Sequence, residues 1–303
     1  MTLFNFLRLI RVHQWIKNVF VFIPLLFSLH LFNKDYFITT LFAFLVFCLA
    51  SSAIYVINDL VDIESDRVHP VKKNRPLPSG SISQTAAIIT ASLLLVLVFW
   101  LMMYFNIEFI LLVVAFVMLN MLYSFLFKNV VLLDVFSIAA GFSMRVLAGA
   151  FVIQVPISSW LLLTTMFISL FLGVMKRRSE LVLVNENQKL NSDAVEQSGT
   201  QSRKVLTQYS LNFADQMATV AATGVIVCYA LYTVAPRTIS IFQTERLIYT
   251  TPFVVFGIFR FMYLEYISGK GENSTRTLAT DIPMIVNLLL YGFATITIIY
   301  KLF

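Results

Sequence analysis

Nine apolar runs, near residues 16–33, 37–58, 84–105, 108–127, 131–154, 156–175, 211–235, 247–267 and 283–303, leave this chain few folds to choose from. Each approaches or exceeds the roughly 20 residues that a helix needs to cross a hydrocarbon layer. Inside that layer every backbone N–H and C=O needs an internal partner, so runs of this length form helices and not strands. Composition agrees: of 303 residues 59% are hydrophobic and 13% charged, with a mean hydropathy of +0.83. A soluble domain carries roughly 25% charged residues. A soluble enzyme, a disordered chain and a disulfide scaffold are thereby excluded. The expected fold is all-α: a polytopic membrane protein of about nine transmembrane helices, with residues 1–303 forming a single integral catalytic domain.

The N-terminus carries basic residues before an apolar run, as a signal peptide would. That run continues from Val19 to Phe32 without a small-residue cleavage site, so it is expected to remain as a first helix. Cys48 and Cys228 fall inside apolar runs, and His13, His30 and His69 lack metal-ligand spacing.

The formal charge of +6 does not point to nucleic acid in so hydrophobic a chain; where the charges lie is more informative. Lys and Arg concentrate on the cytosolic side of membrane proteins. With the N-terminus inside, the inner segments 1–15, 59–83, 128–130, 176–210 and 268–282, with their flanking helix ends, hold seventeen Lys and Arg. The outer side has Lys34, Arg237, Arg246 and Lys301, and Arg145 remains within a helix. The expectation is an integral protein of a bacterial-type inner (plasma) membrane, N-terminus cytosolic and C-terminus outside, with its chemistry at the cytosolic side.

The second run ends in Asn58-Asp59-Leu-Val-Asp62-Ile-Glu-Ser-Asp66-Arg67. Spacings of three and four put Asp59, Asp62 and Asp66 on one helical face, where like charges repel unless a cation neutralises them. Carboxylates with the Asn58 carbonyl are the hard oxygen ligands that Mg²⁺ prefers, and Mn²⁺ fits the same set. The plainer alternative is a solvated acidic helix end. Downstream, Arg67, Lys72, Lys73 and Arg75 lie in a turn-rich stretch with Pro70, Pro76, Pro78 and Gly80. These cations suit phosphate oxygens that a metal does not reach, or serve as topology signals.

Asn58-Asp59-x-x-Asp62-x-x-x-Asp66, followed by Arg75-Pro76-Leu-x-x-Gly80, resembles the first aspartate-rich motif of the UbiA superfamily of intramembrane prenyltransferases. Members that prenylate aromatic acceptors usually carry a second such motif after the sixth helix, where this chain has Lys176-Arg177-Arg178-Ser179-Glu180-Leu181. A cationic patch cannot bind Mg²⁺ but can grip phosphate directly. Further segments, Arg11-x-x-Gln14-Trp15-x-Lys17-Asn18, Tyr123-Ser-x-x-x-Lys128, Asp134 and Arg145, with Lys176-Arg177-x-x-Glu180-Leu181, are similar to the decaprenyl-phosphate phosphoribosyltransferase branch.

That resemblance implies transfer of 5-phosphoribose from 5-phosphoribosyl diphosphate to a polyprenyl phosphate, releasing diphosphate, with Mg²⁺ on Asn58, Asp59, Asp62 and Asp66. It makes Asp59, Asp62 and Asp66 catalytic, and Lys17, Asn58, Arg67, Lys72, Arg75, Tyr123, Lys128, Asp134, Arg145, Lys176, Arg177 and Glu180 substrate-binding. A cation deep in a membrane helix, as at Arg145, lines a polar cavity or is satisfied by helix carbonyls or a buried acid. The competing enzyme reading, prenyl transfer from a prenyl diphosphate to an aromatic or other small acceptor, predicts a second acidic cluster. A secondary transporter would place its charges near the midplane on repeated, broken helices, and no repeat is evident. The lipid bilayer is the expected environment, and the chain could work alone or as a homo-oligomer.

Overall fold

In the computed structural model the described residues are 3–68, 72–190, 208–267 and 280–301, with side chains as far as 183 in the second stretch. His69, and the parts of the expected inner segments at 191–207 and 268–279, lie outside them. The described residues are helical or in turns, with no strand among them. Among the described residues eight helices are long and apolar enough to cross a membrane, or nine if the bent pair Leu3–Leu9 and Val12–Phe27 counts as one span.

The chain forms two compact units. The first takes residues 3–25 and 30–156; the second takes 26–29 and the described residues from 157 onward. Unit one begins with α1 (Leu3–Leu9), a 3₁₀ segment (Val12–Phe22) and α2 (Ile23–Phe27). It continues through α3 (Lys34–Val61), α4 (Ile63–Val68), α5 (Gln84–Met102), α6 (Ile107–Phe125) and α7 (Leu133–Val152). Unit two holds α8 (Ser159–Leu190), α9 (Leu211–Val234), the short α10 (Pro236–Phe242), α11 (Thr251–Tyr266) and α12 (Ile282–Tyr300). Residues 26–29 join it through Phe27, packed edge-on against Tyr232, and through the Tyr300 hydroxyl, which donates to the Leu26 carbonyl at 3.2 Å.

Local sequence explains where the helices start. Asn33, Ser83, Asn106, Ser210 and Asp281 each accept a hydrogen bond from a first-turn backbone N–H, as N-caps do. The central element of unit one is α3, with 61% of its apolar window buried, whereas α5 and α6 bury 22% and turn Ile89, Leu93, Phe99 and Leu111 outward. Its small residues Ala43, Ala50, Ser51, Ser52 and Ala53 are buried, which lets neighbouring helices approach closely where packing, not water exclusion, drives association. Phe47 of α3 meets Phe109 and Phe116 of α6 at 6.1 and 5.0 Å between ring centres.

The first expected helix, 16–33, differs from a straight span. The chain breaks at Arg11, which is left-handed at φ 52°, and runs as a 3₁₀ segment to Phe22. Polar side chains on this segment dictate the departure. Trp15 Nε1 donates to Ser52 Oγ at 3.0 Å, and Asn18 Nδ2 to the Cys48 sulfur at 3.3 Å. The Ser51 hydroxyl donates to Asn18 Oδ1 at 3.3 Å, so the segment is stitched polar group by polar group onto α3. The sixth helix also outruns its expected end near 175, continuing to Leu190, and the expected outer loop 236–246 contains α10.

Arg145 is met inside the helix bundle of unit one. It is 6% exposed, its Nε donates to Asn18 Oδ1 at 2.7 Å and its Nη1 to the Gly141 carbonyl at 2.8 Å. The guanidinium lies 4.7 and 5.2 Å from the Phe116 and Phe142 ring centres, so carbonyl, amide and π-faces replace the hydration it has lost.

Gly149 of α7 is where the 3₁₀ segment comes closest: a Cβ there would stand 2.0 Å from the Val21 carbonyl oxygen. Gly149→Ala should therefore cost about 1–3 kcal/mol or more and lower the unfolding temperature in detergent. An unchanged melting curve would show that the close approach does not hold the segment.

Candidate active site

The end of α3 gathers acidic groups where a helix is least hospitable to them, because the macrodipole is negative there. Backbone bonding passes through the bend at Asp62 into α4: Asp62 N–H donates to the Asn58 carbonyl at 3.0 Å and Asp66 N–H to the Asp62 carbonyl at 2.8 Å. Asp59 and Asp66 are each 2% exposed. Two carboxylates buried this deeply need cations beside them.

The cations are there. Arg75 Nη1 donates to Asp59 Oδ1 at 3.1 Å and to Asp66 Oδ2 at 2.5 Å, so one guanidinium nitrogen bridges both acids. Arg11 also pairs with Asp59, its guanidinium carbon 5.0 Å from the Tyr55 ring centre. Lys72 Nζ lies 3.9 Å from Asp66. Asp62 pairs with Lys128, from the 3₁₀ turn Phe127–Asn129, and accepts from Asn58 Nδ2 at 3.1 Å.

The turn-rich stretch after α4 explains how Arg75 is aimed. Leu77 is 2% exposed and packs with Leu9, Val56, Ile63 and Ile82. Arg75 N–H donates to the Lys72 carbonyl, Ser79 N–H to the Arg75 carbonyl, and Ile82 N–H to the Pro76 carbonyl, at 2.9–3.0 Å. Gly80 closes the turn at φ 75°, a backbone region that side chains disfavour. Arg8 Nη2 donates to the Asn74 carbonyl at 2.9 Å and ties α1 to the same stretch.

Of the residues expected from sequence, Asn58, Asp59, Asp62, Asp66, Lys72, Arg75 and Lys128 come together here. Arg67 does not: it pairs with Glu64 at 2.9 Å, both side chains well exposed. Lys17 is half-buried on the 3₁₀ segment, Tyr123 half-buried in the last turn of α6, and Asp134 fully buried in the first turn of α7. Arg11 and Tyr55 are site residues that spacing did not single out as such, because 48 residues separate Arg11 from its partner.

Unit two carries its own polar group at Lys176–Glu180. Arg177 is 1% exposed and pairs with Glu180 at 2.5 Å, while Lys176 is exposed. Arg178 is structural. Its Nε donates to Asp215 Oδ1 at 2.6 Å, its guanidinium stacks 3.7 Å from the Tyr266 ring centre, and the Tyr266 hydroxyl donates to the same Asp215 oxygen at 3.0 Å. Ser179 Oγ donates to Glu265 Oε2 at 2.7 Å. Together these bonds fasten α8 to α9 and α11. The lone acid Asp215 in an apolar run was the signal for this arrangement, since intramembrane acids seek a cation.

The acidic site fits a divalent ion in kind: three carboxylates and an amide carbonyl are hard donors. Its carboxylates are already paired with protein cations, and among the described residues no three acidic, His or Cys side chains are gathered as a ligand set.

A model of the UbiA prenyltransferase family matches residues 21–280. The decaprenyl-phosphate phosphoribosyltransferase of Mycolicibacterium smegmatis is 32% identical over 230 residues, covering 75% of this chain and 69% of that one. The enzyme of the same name from Mycobacterium tuberculosis is 31% identical over 232 residues, covering 74% and 72%. A UbiA homolog from Archaeoglobus fulgidus, solved bound to GPP and Mg²⁺, shares the fold with a TM-score of 0.70 at 19% identity, over 97% of this chain and 99% of that one. The chain belongs to the UbiA prenyltransferase family, and is thus an integral membrane transferase with that family's helical fold.

Leu77→Ala should cost about 2–5 kcal/mol and loosen the stretch that presents Arg75. Thermal unfolding in detergent checks it: a stability equal to the parent chain would mean that the turn is held by its hydrogen bonds alone.

Proposed function

We propose that this protein transfers 5-phosphoribose from 5-phosphoribosyl diphosphate to a polyprenyl phosphate at the cytosolic side of a bacterial-type inner membrane. The observation that carries this reading is the chemistry of the second polar segment. Where an enzyme holding one prenyl diphosphate between two acidic motifs needs more carboxylates, this chain has Lys176 and the buried Arg177. Its relatives in mycobacteria bear the phosphoribosyltransferase name over about three quarters of this chain.

In this reading Asn58, Asp59, Asp62 and Asp66 hold Mg²⁺, for which Mn²⁺ can substitute, and the ion supplies positive charge to the departing diphosphate. Arg75, Arg11 and Lys72 donate to diphosphate oxygens as negative charge builds on them. Lys128 orients Asp62 through their ion pair. Lys176 and Arg177 serve as phosphate-binding cations, Glu180 orienting the Arg177 guanidinium, and Lys17, Tyr123 and Asp134 serve as substrate-binding groups of unit one. A phosphate oxygen of the lipid attacks C1 of the ribose; the C1–O bond to diphosphate breaks, and its electron pair leaves with diphosphate. A phosphate monoester is anionic near neutral pH, so no general base is required, and catalysis is positioning and electrostatics.

The test is a transfer assay with purified protein in detergent, labelled 5-phosphoribosyl diphosphate, polyprenyl phosphate and Mg²⁺. Metal-dependent label should enter the organic phase and fall at least about 10²-fold in Asp62→Ala, in line with removal of one electrostatic group. Failure with several lipid lengths, together with prenylation of an aromatic acid from a prenyl diphosphate, would assign the protein to the other reaction and refute the role given to Lys176 and Arg177.

A further inference from the structure

We propose that Arg75, helped by Arg11, is a resident counter-cation that keeps the acidic site closed to a divalent ion until a diphosphate arrives, so that metal and diphosphate load together. The proposal rests on the reading above that Asp59 and Asp66 receive a metal-bound diphosphate. Its first support is position. A single nitrogen, Arg75 Nη1, bridges Asp59 and Asp66, the two most buried carboxylates of the cluster, at 3.1 and 2.5 Å.

The second support is charge. Asp59, Asp62 and Asp66 already face four cations, Arg11, Lys72, Arg75 and Lys128, each within salt-bridge reach of one of the acids. The cluster is net positive before any metal enters. A lone divalent ion would meet occupied oxygens and a repulsive field. A diphosphate reverses this, because it offers the displaced guanidinium and ammonium groups new acceptors as the metal takes over the carboxylates. The cations then neutralise the leaving group instead of the protein's own acids, with no change in their number.

The third support is backbone strain at Arg11. It is not glycine, yet it sits left-handed at φ 52° where the first span breaks, a conformation that costs about 1 kcal/mol or more and persists only where surroundings hold it. Holding it are the Asp59 pair, the Tyr55 ring face and the Gln14 N–H, which donates to the Arg11 carbonyl at 2.8 Å. The residue at this break thus carries the guanidinium that meets Asp59.

The measurement is Mn²⁺ affinity of the purified full chain in detergent, read by electron paramagnetic resonance without any phosphate compound. Wild type should bind weakly and Arg75→Gln at least about tenfold more tightly, a conservative share of the charge–charge repulsion removed at this separation. Arg75→Lys, which keeps the charge, should stay near wild type. Arg11→Gln carries the same expectation as Arg75→Gln, so a failure of one variant to fold leaves the other to decide. Equal or weaker Mn²⁺ binding by the two Gln variants would overturn the counter-cation role while leaving the metal site intact. Absence of binding by every form, even with Mn²⁺ and inorganic diphosphate together, would overturn the metal reading and this inference with it.

Discussion

Burying carboxylates at the end of a membrane helix is the constraint from which most of this structure follows. Asp59 lies in the last turn of α3, where the backbone dipole is negative, and Asp66 follows in α4; both are buried, so each must be met by a cation supplied from elsewhere in the chain. Arg11 reaches Asp59 from the start of the chain, Arg75 arrives on a turn anchored by Leu77, and Lys128 comes from the turn between α6 and α7. Three remote segments thereby converge on one helix end. The pairing is redundant at the two buried acids: Asp59 meets both Arg11 and Arg75, and Asp66 meets both Arg75 and Lys72.

The same economy of polar groups operates deeper in unit one. The 3₁₀ segment puts Trp15 and Asn18 against the small hydroxyl residues of α3, and Asn18 in turn accepts from Arg145. Every one of these polar atoms has left water, and each finds a protein partner in its place. In unit two Arg178, Asp215, Tyr266 and Ser179, with one carboxylate oxygen of Glu265, join α8 to α9 and α11. Charged residues in the two units therefore include some that join helices, such as Arg178 with Asp215, and some whose partners are the clustered acids, such as Arg75 with Asp59 and Asp66.

Much of this was legible in the chain. Run lengths gave the helices, and spacings of three and four placed Asp59, Asp62 and Asp66 together. The bend at Arg11 was not legible, because hydropathy is blind to whether a segment with Trp15 and Asn18 will prefer hydrogen bonds to α3 over a regular helix of its own. Nor could spacing separate Arg177 from Arg178, which are adjacent in sequence: one pairs with Glu180 three residues on, while the other needs Asp215 and Tyr266 from two other helices. Long-range partners of long cationic side chains are a tertiary property. Arg67 shows the reverse case, an inner-loop cation that stays on the exposed side of α4 with Glu64.

The most direct test of the account is a structure of the protein determined with 5-phosphoribosyl diphosphate and Mg²⁺. The account predicts metal density about 2.1 Å from oxygens of Asp59 and Asp66, with the Arg75 guanidinium moved onto the diphosphate. A bound donor beside an intact Asp59–Arg75–Asp66 bridge, with no metal on either carboxylate, would contradict it.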